Sequence, residues 1–192
     1  NIIGAKLTIA VFVWPWRDNL KEKPVKMKIV KMRRLAPSTV DLKAKIGGYY
    51  ANGLLGFIEA RRGGFDEPLF LDVRGFVAEG AVNNIFVVKN KKLYTPRVEN
   101  ILGGITRDTI IRIACDMGMK VYEKNIRPNF LRQADEIFLT GTGIELRRVT
   151  KIQGYFLQHQ APQPVFAGLQ NQYRKIVAGK ISKYKSFLTP IQ

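Results

Sequence analysis

The sequence has few of the residues from which metal centres and disulfides are built. Among its 192 residues there is one cysteine, Cys115, and one histidine, His159. A single cysteine excludes an internal disulfide and favours a reducing compartment, so we expect a cytoplasmic protein. A single histidine excludes histidine-rich zinc clusters, and we predict no metal site. A Ser-His-Asp triad would depend on His159, which lies in a stretch rich in Gln and Pro with no nucleophile-elbow motif nearby.

Long hydrophobic runs are also missing. The longest near the start, "LTIAVFVW" (Leu7 to Trp14), is far shorter than the about 20 apolar residues that span a bilayer. It also lacks the cleavage pattern of a secretory signal. We therefore expect no membrane association and predict a buried strand from Leu7 to Val13.

Acidic residues are scarce, with 15 Asp and Glu against 32 Lys and Arg, which gives a net charge of +17. Such a charge suits nucleic acid or an anionic ligand. The basic residues are scattered, however, and the densest stretch, Lys21 to Arg34, alternates with Val, Met and Ile like an exposed strand face. No RNA-binding motif or basic recognition helix stands out. We expect no nucleic-acid partner and keep a non-catalytic basic binding module as a distant alternative.

The remaining composition is globular, with 46% hydrophobic residues, enough for one domain with a substantial core. Three helices are predicted, of which the second has Thr106 as its N-cap. Hairpin-like strand pairs mixed with these helices indicate an α+β fold. The predicted helices are Gly47 to Arg62, Thr106 to Met117 and Leu169 to Ala178. The predicted strands are Leu7 to Val13, Lys26 to Lys31, Leu69 to Val73, Gly75 to Ala78, Asn84 to Val88, Lys91 to Thr95 and Glu136 to Thr140.

Four separated segments carry unusual local chemistry: "KAKIGG", "GFVAEG", "LGGITRD" and "LTGTGIE". Each alone has an ordinary explanation, as a surface lysine, a solvated turn carboxylate, a helix N-cap or a loop. Together they offer a reactive amine, a carboxylate and two sets of free amides and hydroxyls. Pyridoxal phosphate needs this combination, because an amine bonds its aldehyde, a carboxylate keeps its ring nitrogen protonated and an anion site holds its phosphate.

The order and wording of these segments resemble the large, C-terminal domain of fold-type IV pyridoxal-phosphate enzymes, in particular branched-chain amino acid aminotransferases. Similar stretches include "RRLAPSTVDLKAKIGGYYANGLL", "ILGGITRDTIIRIACDMG", "ADEIFLTGTGIE" and "KYKSFLTPI", so the resemblance covers practically the whole chain. It implies a pseudo-barrel of mixed β-strands flanked by helices. It also implies that residues 1–192 form the large domain, and that the family's small N-terminal domain is absent from this chain.

The resemblance implies roles for three residues around the cofactor ring. Lys45 matches the Schiff-base lysine, and its spacing to the glycine pair distinguishes it from Lys43. Tyr50 matches the tyrosine that bonds the cofactor's phenolic oxygen. Glu79 matches the carboxylate that pairs with the pyridine nitrogen.

The same comparison implies a second set of residues at the phosphate and at the substrate. Ile105, Thr106 and Thr142 match phosphate ligands, and Thr142 with Gly143 matches the amides that face the substrate carboxylate. Arg107 and Asp108 are interpreted as structural. Val82 and Asn83 depart from a usual Gly-Glu pair, and Arg147 and Arg148 add two arginines that we expect close to the carboxylate pocket.

The implied activity moves an amino group from Leu, Ile or Val to 2-oxoglutarate through a pyridoxamine intermediate, as in branched-chain amino acid biosynthesis. D-amino acid transaminases and aminodeoxychorismate lyases share the pattern and stay open as alternatives. The implied partners are amino acid and 2-oxo acid substrates and further copies of the chain, in a homodimer or a higher homo-oligomer.

Overall fold

The computed structural model describes residues 3–13, 15, 23–156 and 164–189. Within them, α-helices separate groups of strands, and no unit repeats. The strands are β1 (Val25–Arg33), β2 (Glu67–Leu71), β3 (Asn84–Lys89), β4 (Lys92–Thr95), β5 (Val121–Glu123), β6 (Glu136–Gly141), β7 (Glu145–Ile152) and β8 (Tyr155–Phe156). The α-helices are α1 (Tyr50–Arg62), α2 (Ile105–Asp116) and α3 (Pro164–Val177).

The strands form one mixed sheet in the order β2-β1-β7-β6-β3-β4-β5, with β8 paired to β7. β1 runs parallel to both of its neighbours, and β3, β6 and β7 pair antiparallel. The segment 76–79 links the edge strand β2 to the segment that follows the other edge strand, β5, because Ala78 N donates to Phe70 O at 2.9 Å and Val77 N donates to Ile126 O at 2.8 Å. The sheet is therefore curled into a half-barrel with helices outside it, and the predicted α+β pseudo-barrel is confirmed.

Alternation along the strands divides the core between the two faces of the sheet. On β6, Ile137 and Leu139 point into the half-barrel, where they pack with residues of β1, β2 and β3. Phe138 points outward and packs against α2 and α3. Glu136 also supports α3, because its two carboxylate oxygens accept the amides of Val165 and Phe166 at 3.0 and 2.7 Å. A buried carboxylate thus caps the start of that helix.

Two strand predictions differ from the structure. Leu7 to Val13 is not a strand, and Leu7 and Val13 are 87% and 92% exposed. An apolar segment becomes a strand only where a neighbouring strand pairs with it, and none of the described residues does so here. The predicted strand Gly75 to Ala78 is reduced to a single bridge between Val77 and Leu71.

β5, β7 and β8 were not predicted. β7 carries charged side chains in "ELRRVTKI", which hide its apolar alternation. Among the described residues, no helix has both the length and the apolar character needed to cross a membrane.

Candidate active site

One cavity of about 260 Å³ lies at the edge of the sheet where the β1–α1 connection, the Glu79 segment, the start of α2 and the β6–β7 turn meet. Most of the residues singled out in the sequence line it. The lining includes Lys43, Lys45, Tyr50, Glu79, Ile105, Thr106 and Thr142. Gly143 is not among the lining residues, although its neighbour Thr142 is.

The amine side of the cavity comes from the connection between β1 and α1. Lys45 precedes a 3-10 turn, Gly47–Tyr49, that leads directly into α1, so Tyr50 is the first residue of that helix. A Cβ added at either glycine of this turn would meet nothing within 4 Å, so the backbone is open on that side. Lys43 and Lys45 are both exposed lining residues. Cavity lining therefore does not separate them, and the preference for Lys45 stays a prediction.

Glu79 is the buried carboxylate of the site, with 2% of its surface exposed. Arg34 Nε donates to Glu79 Oε1 at 2.7 Å, and Asn84 Nδ2 donates to Glu79 Oε2 at 3.1 Å. Burial raises the pKa of the Glu79 carboxyl, and the charge and hydrogen bond of Arg34 oppose that rise. The carboxylate is thus held in one orientation by donors on both oxygens.

Arg34 and Asn84 were not predicted from the sequence. The interpretation of Lys21 to Arg34 as a solvated face is wrong for Arg34, whose side chain is 10% exposed and ion-paired. Arg34 also donates to Asn52 Oδ1 at 3.2 Å. The sequence signal that could have indicated both residues is their position at the end of a strand. Arg34 directly follows β1 and Asn84 begins β3, and both line the cavity.

The start of α2 forms the anion-binding side of the cavity. Its N-cap is Gly104, in an extended conformation, and not Thr106 as predicted. Glycine is required there because an added Cβ would lie 2.2 Å from Asn84 Oδ1. Thr106 is instead buried in the first turn, at 5% exposure. With no capping side chain at Gly104, the first amides of α2 and the positive end of the helix dipole face the cavity.

Arg107 supports this helix start from behind. It is 2% exposed, and it donates to Pro96 O at 2.9 Å and to Asp108 Oδ1 at 3.1 Å. It is not among the cavity-lining residues, which agrees with the structural role expected for it.

The two arginines of the β6–β7 hairpin do not line the cavity, contrary to the expectation from "GIELRRV". Arg147 points into the half-barrel, where its guanidinium lies 3.8 Å from Glu67 Oε1 and also donates to Lys23 O at 2.8 Å. Arg148 lies opposite Phe138 on the neighbouring strand, and Phe138 is two residues away from Thr140, which lines the cavity. In the described part of the chain, no cluster of three or more His, Cys, Asp or Glu residues could hold a metal ion. His159 lies outside the described residues.

The family model for amino-transferase class IV matches residues 3–152 of the chain. The chain belongs to the class IV aminotransferases. One relative is the branched-chain-amino-acid aminotransferase of Pseudomonas aeruginosa, which is 34% identical over 193 residues. The match covers 98% of this chain and 63% of the relative. The chain therefore spans a little over three fifths of the length of that curated relative.

Two solved structures show the same fold as this class IV aminotransferase chain. The branched-chain aminotransferase of Thermoproteus uzoniensis with norvaline is 39% identical, has a TM-score of 0.87 and matches 93% of this chain and 60% of its own. The branched-chain amino acid aminotransferase of Thermobaculum terrenum in its PLP-form is 32% identical, with a TM-score of 0.88 over 93% of this chain and 59% of its own.

Proposed function

We propose that residues 1–192 form the cofactor-binding large domain of a pyridoxal-phosphate-dependent aminotransferase. Its reaction would transfer the amino group of Leu, Ile or Val to 2-oxoglutarate. The observation that carries the proposal is the convergence of a lysine amine, a buried carboxylate and a helix N-terminus on one cavity. The family match and the names of the relatives support the reaction type and the donor class.

The donors around the cavity fit the chemistry of pyridoxal phosphate. The uncapped start of α2 offers amides and the Thr106 hydroxyl to a phosphate dianion. Glu79 lies on the wall with its carboxylate fixed, as pairing with a protonated ring nitrogen requires. Lys43 and Lys45 supply amines to the same cavity. When bound, the cofactor would supply an aldehyde that an amine can attack and a ring that stabilises negative charge on the substrate Cα.

Each residue then has a defined task. Lys45 binds the cofactor and carries the proton between the substrate Cα and the cofactor C4′. Tyr50 donates to the phenolic oxygen, and Glu79 keeps the ring nitrogen protonated. Ile105, Thr106 and Thr142 hold the phosphate. Thr142 with Gly143 orients the substrate carboxylate. For Gly143 this role rests on the resemblance alone, because Gly143 does not line the cavity.

The cofactor site is tested by incubating the full-length protein with pyridoxal phosphate, reducing with borohydride and mapping the modified lysine by peptide mass spectrometry. We expect the label on Lys45, lost in Lys45→Ala and kept in the matched control Lys43→Ala. Label on Lys43, or label scattered over surface lysines, would contradict the assignment.

The donor class is tested by comparing L-leucine, D-alanine and aminodeoxychorismate on the same protein. We expect turnover with L-leucine and 2-oxoglutarate. Turnover with D-alanine alone would favour a D-amino acid transaminase, and turnover of aminodeoxychorismate alone would favour the lyase. Salt-sensitive nucleic-acid binding without any cofactor binding would favour the basic binding module.

We further propose a cytoplasmic homodimer or higher homo-oligomer. The exposed side of α1 supports association, because Leu54, Leu55 and Ile58 follow helical spacing and are 59%, 52% and 38% exposed. Light scattering on wild-type protein and on Leu54→Lys/Ile58→Lys tests it. We expect the double substitution to shift the mass toward the monomer, and an unchanged mass would rule out this face.

A further inference from the structure

Thr140, near the end of β6, carries a buried hydroxyl that has no hydrogen-bond partner in the described part of the chain. The residue is 0% exposed, and its Oγ1 makes no hydrogen bond to any residue that the structure describes. Buried hydroxyls are normally paired, because leaving one unpaired gives up the hydrogen bonds it makes with water in the unfolded chain. The unpaired hydroxyl therefore points to a missing partner.

The sheet register shows which way the side chain points. Thr140 lies directly opposite Asn84 on β3 and Leu146 on β7, and directly opposed residues of antiparallel strands share a face. Leu146 packs with the α2 cluster, whereas Leu139, the neighbour of Thr140, points into the half-barrel. Thr140 therefore faces the α2 side of the sheet.

Asn84 connects this position to the start of α2. Its Nδ2 donates to Leu102 O at 2.8 Å, and its Oδ1 occupies the space that a side chain at Gly104 would need. Thr140, opposite Asn84, thus lies beneath the N-terminus of α2. It also lines the cavity, together with Thr106 and Thr142.

We propose that the Thr140 hydroxyl is a further donor to the phosphate group bound at the N-terminus of α2. This inference rests on the proposed function, which places the cofactor phosphate there. Thr106 lines the cavity from the first turn of α2 and Thr142 lines it from the turn after β6, and Thr140 would add a donor from β6 itself. A hydroxyl that donates to a phosphate dianion forms a charge-assisted hydrogen bond, which is stronger than a neutral one.

The test compares wild-type full-length protein with Thr140→Val, which keeps the side-chain shape and removes the hydroxyl, and with Thr140→Ser, which keeps the hydroxyl. Dissociation constants are measured by equilibrium dialysis for pyridoxal phosphate, for pyridoxal and for inorganic phosphate. We expect Thr140→Val to weaken binding of pyridoxal phosphate by about ten- to a hundredfold, the usual effect of losing a hydrogen bond to a charged group. In Thr140→Val, binding of inorganic phosphate should weaken by a similar factor, and the dissociation constant for pyridoxal should change less than about twofold. In Thr140→Ser, all three dissociation constants should stay near the wild-type values.

A second readout separates this role from a structural one. Without ligand, Thr140→Val should melt at or above the wild-type temperature, because it removes an unpaired buried hydroxyl. Unchanged affinity for pyridoxal phosphate in Thr140→Val, or an equal loss for pyridoxal, would overturn the inference. Wild-type protein that binds inorganic phosphate in a Thr140-dependent way but not pyridoxal phosphate would overturn the proposed function and leave the anion site standing. Wild-type protein that binds neither would overturn both.

Discussion

At the scale of single residues, the ion pair between Arg34 and Glu79 favours the ionised form of the buried carboxyl in the proposed site. Burial raises the pKa of Glu79, and the guanidinium of Arg34, 2.7 Å from Oε1, is the main influence that lowers it. By lowering the pKa, Arg34 favours the ionised carboxylate that would pair with a protonated ring nitrogen. Arg34 is therefore a positioning residue for Glu79, and it also favours the ionised form of that carboxyl.

Arg34→Met should move the pKa of Glu79 further upward, so that the carboxyl is protonated at higher pH. If the proposed function holds, the acidic limb of the kcat/KM profile should shift to higher pH, with an activity loss of about tenfold or more below neutrality. The measurement is the pH profile of L-leucine transamination. Arg34→Lys is the control, since it keeps the charge and loses the fork geometry. Superimposable acidic limbs for Arg34→Met and wild type would show that Arg34 does not set this ionisation.

Two helical glycines allow a matched test of packing. Gly56 lies inside α1, and a Cβ there would be 2.1 Å from Cζ of Phe70, whereas Gly168 lies inside α3 with Met117 Cε at an ordinary 3.5 Å. Alanine gains about 1 kcal/mol over glycine in a helix, but overpacking costs about 1–3 kcal/mol, and a contact as short as 2.1 Å takes the upper part of that range, about 2–3 kcal/mol. We expect Gly56→Ala to lower the free energy of unfolding by about 1–2 kcal/mol and Gly168→Ala to raise it by about 0.5–1 kcal/mol. Urea unfolding measures both, and equal signs would contradict the packing account.

At the scale of elements, the tail of the chain is fastened to the end of α2. The Tyr184 hydroxyl donates to Asp116 Oδ2, and Lys183 Nζ lies 2.7 Å from Asp116 Oδ1. Tyr184 is 5% exposed, and burial together with this hydrogen bond raises its pKa from 10.0 to about 12. The protonated phenol is thus the form that the folded protein favours.

The stability that Tyr184 contributes should be complete below pH 10, where the phenol is protonated in both states. It should be lost as the pH rises from 10 through about 12, because the unfolded chain releases this proton first. Tyr184→Phe should lower Tm by about 2–4 °C at pH 9, and the gap to wild type should close toward pH 12. The measurement is thermal unfolding against pH, with the exposed Tyr122→Phe as a control. A gap that stays constant with pH would contradict the linkage.

Elements with a strong local pattern were predictable from the sequence. The helix predicted from Thr106 to Met117 is observed at Ile105–Asp116, because its apolar period and its glycine stop are both local signals. Leu7 to Val13 has an equally strong apolar pattern but is not a strand, since pairing depends on a neighbour that the pattern does not specify. β7 was not predicted because its sequence is highly charged and has no clear strand pattern. It is a strand because it pairs with β1 on one side and β6 on the other.

The residues of the candidate site also divide into those that a local sequence pattern indicated and those that it did not. Lys45 and Glu79 shortly precede glycines and Thr106 shortly follows a glycine pair, and these signals pointed to the segments that meet at the cavity. Arg34 and Asn84 carry no such mark. Their importance comes from long-range contacts to Glu79 that exist only once β1 and β3 are both in place.

At the scale of the whole molecule, the net charge of +17 sets how stability responds to salt. Several of the described ion pairs are largely exposed, such as Arg61–Asp66, and such pairs contribute little. Repulsion among the excess lysines and arginines acts over longer distances, since the Debye length is about 30 Å at 0.01 M salt and about 8 Å at 0.15 M. Self-repulsion of this kind destabilises the compact state.

Raising NaCl from 0.01 to 0.15 M should therefore raise Tm, by about 2–4 °C if screening recovers about 1 kcal/mol. Differential scanning calorimetry at pH 7 measures the shift, and equal concentrations of a neutral osmolyte control for effects other than screening. The most buried ion pair of the site, Arg34–Glu79, is shielded from solvent, so salt should weaken it much less than it weakens the surface repulsion. A Tm that falls with added salt would mean that attraction in the exposed ion pairs outweighs repulsion among the excess lysines and arginines. In that case the basic side chains would lie closer to the acidic ones in the folded protein than their scatter along the sequence indicates.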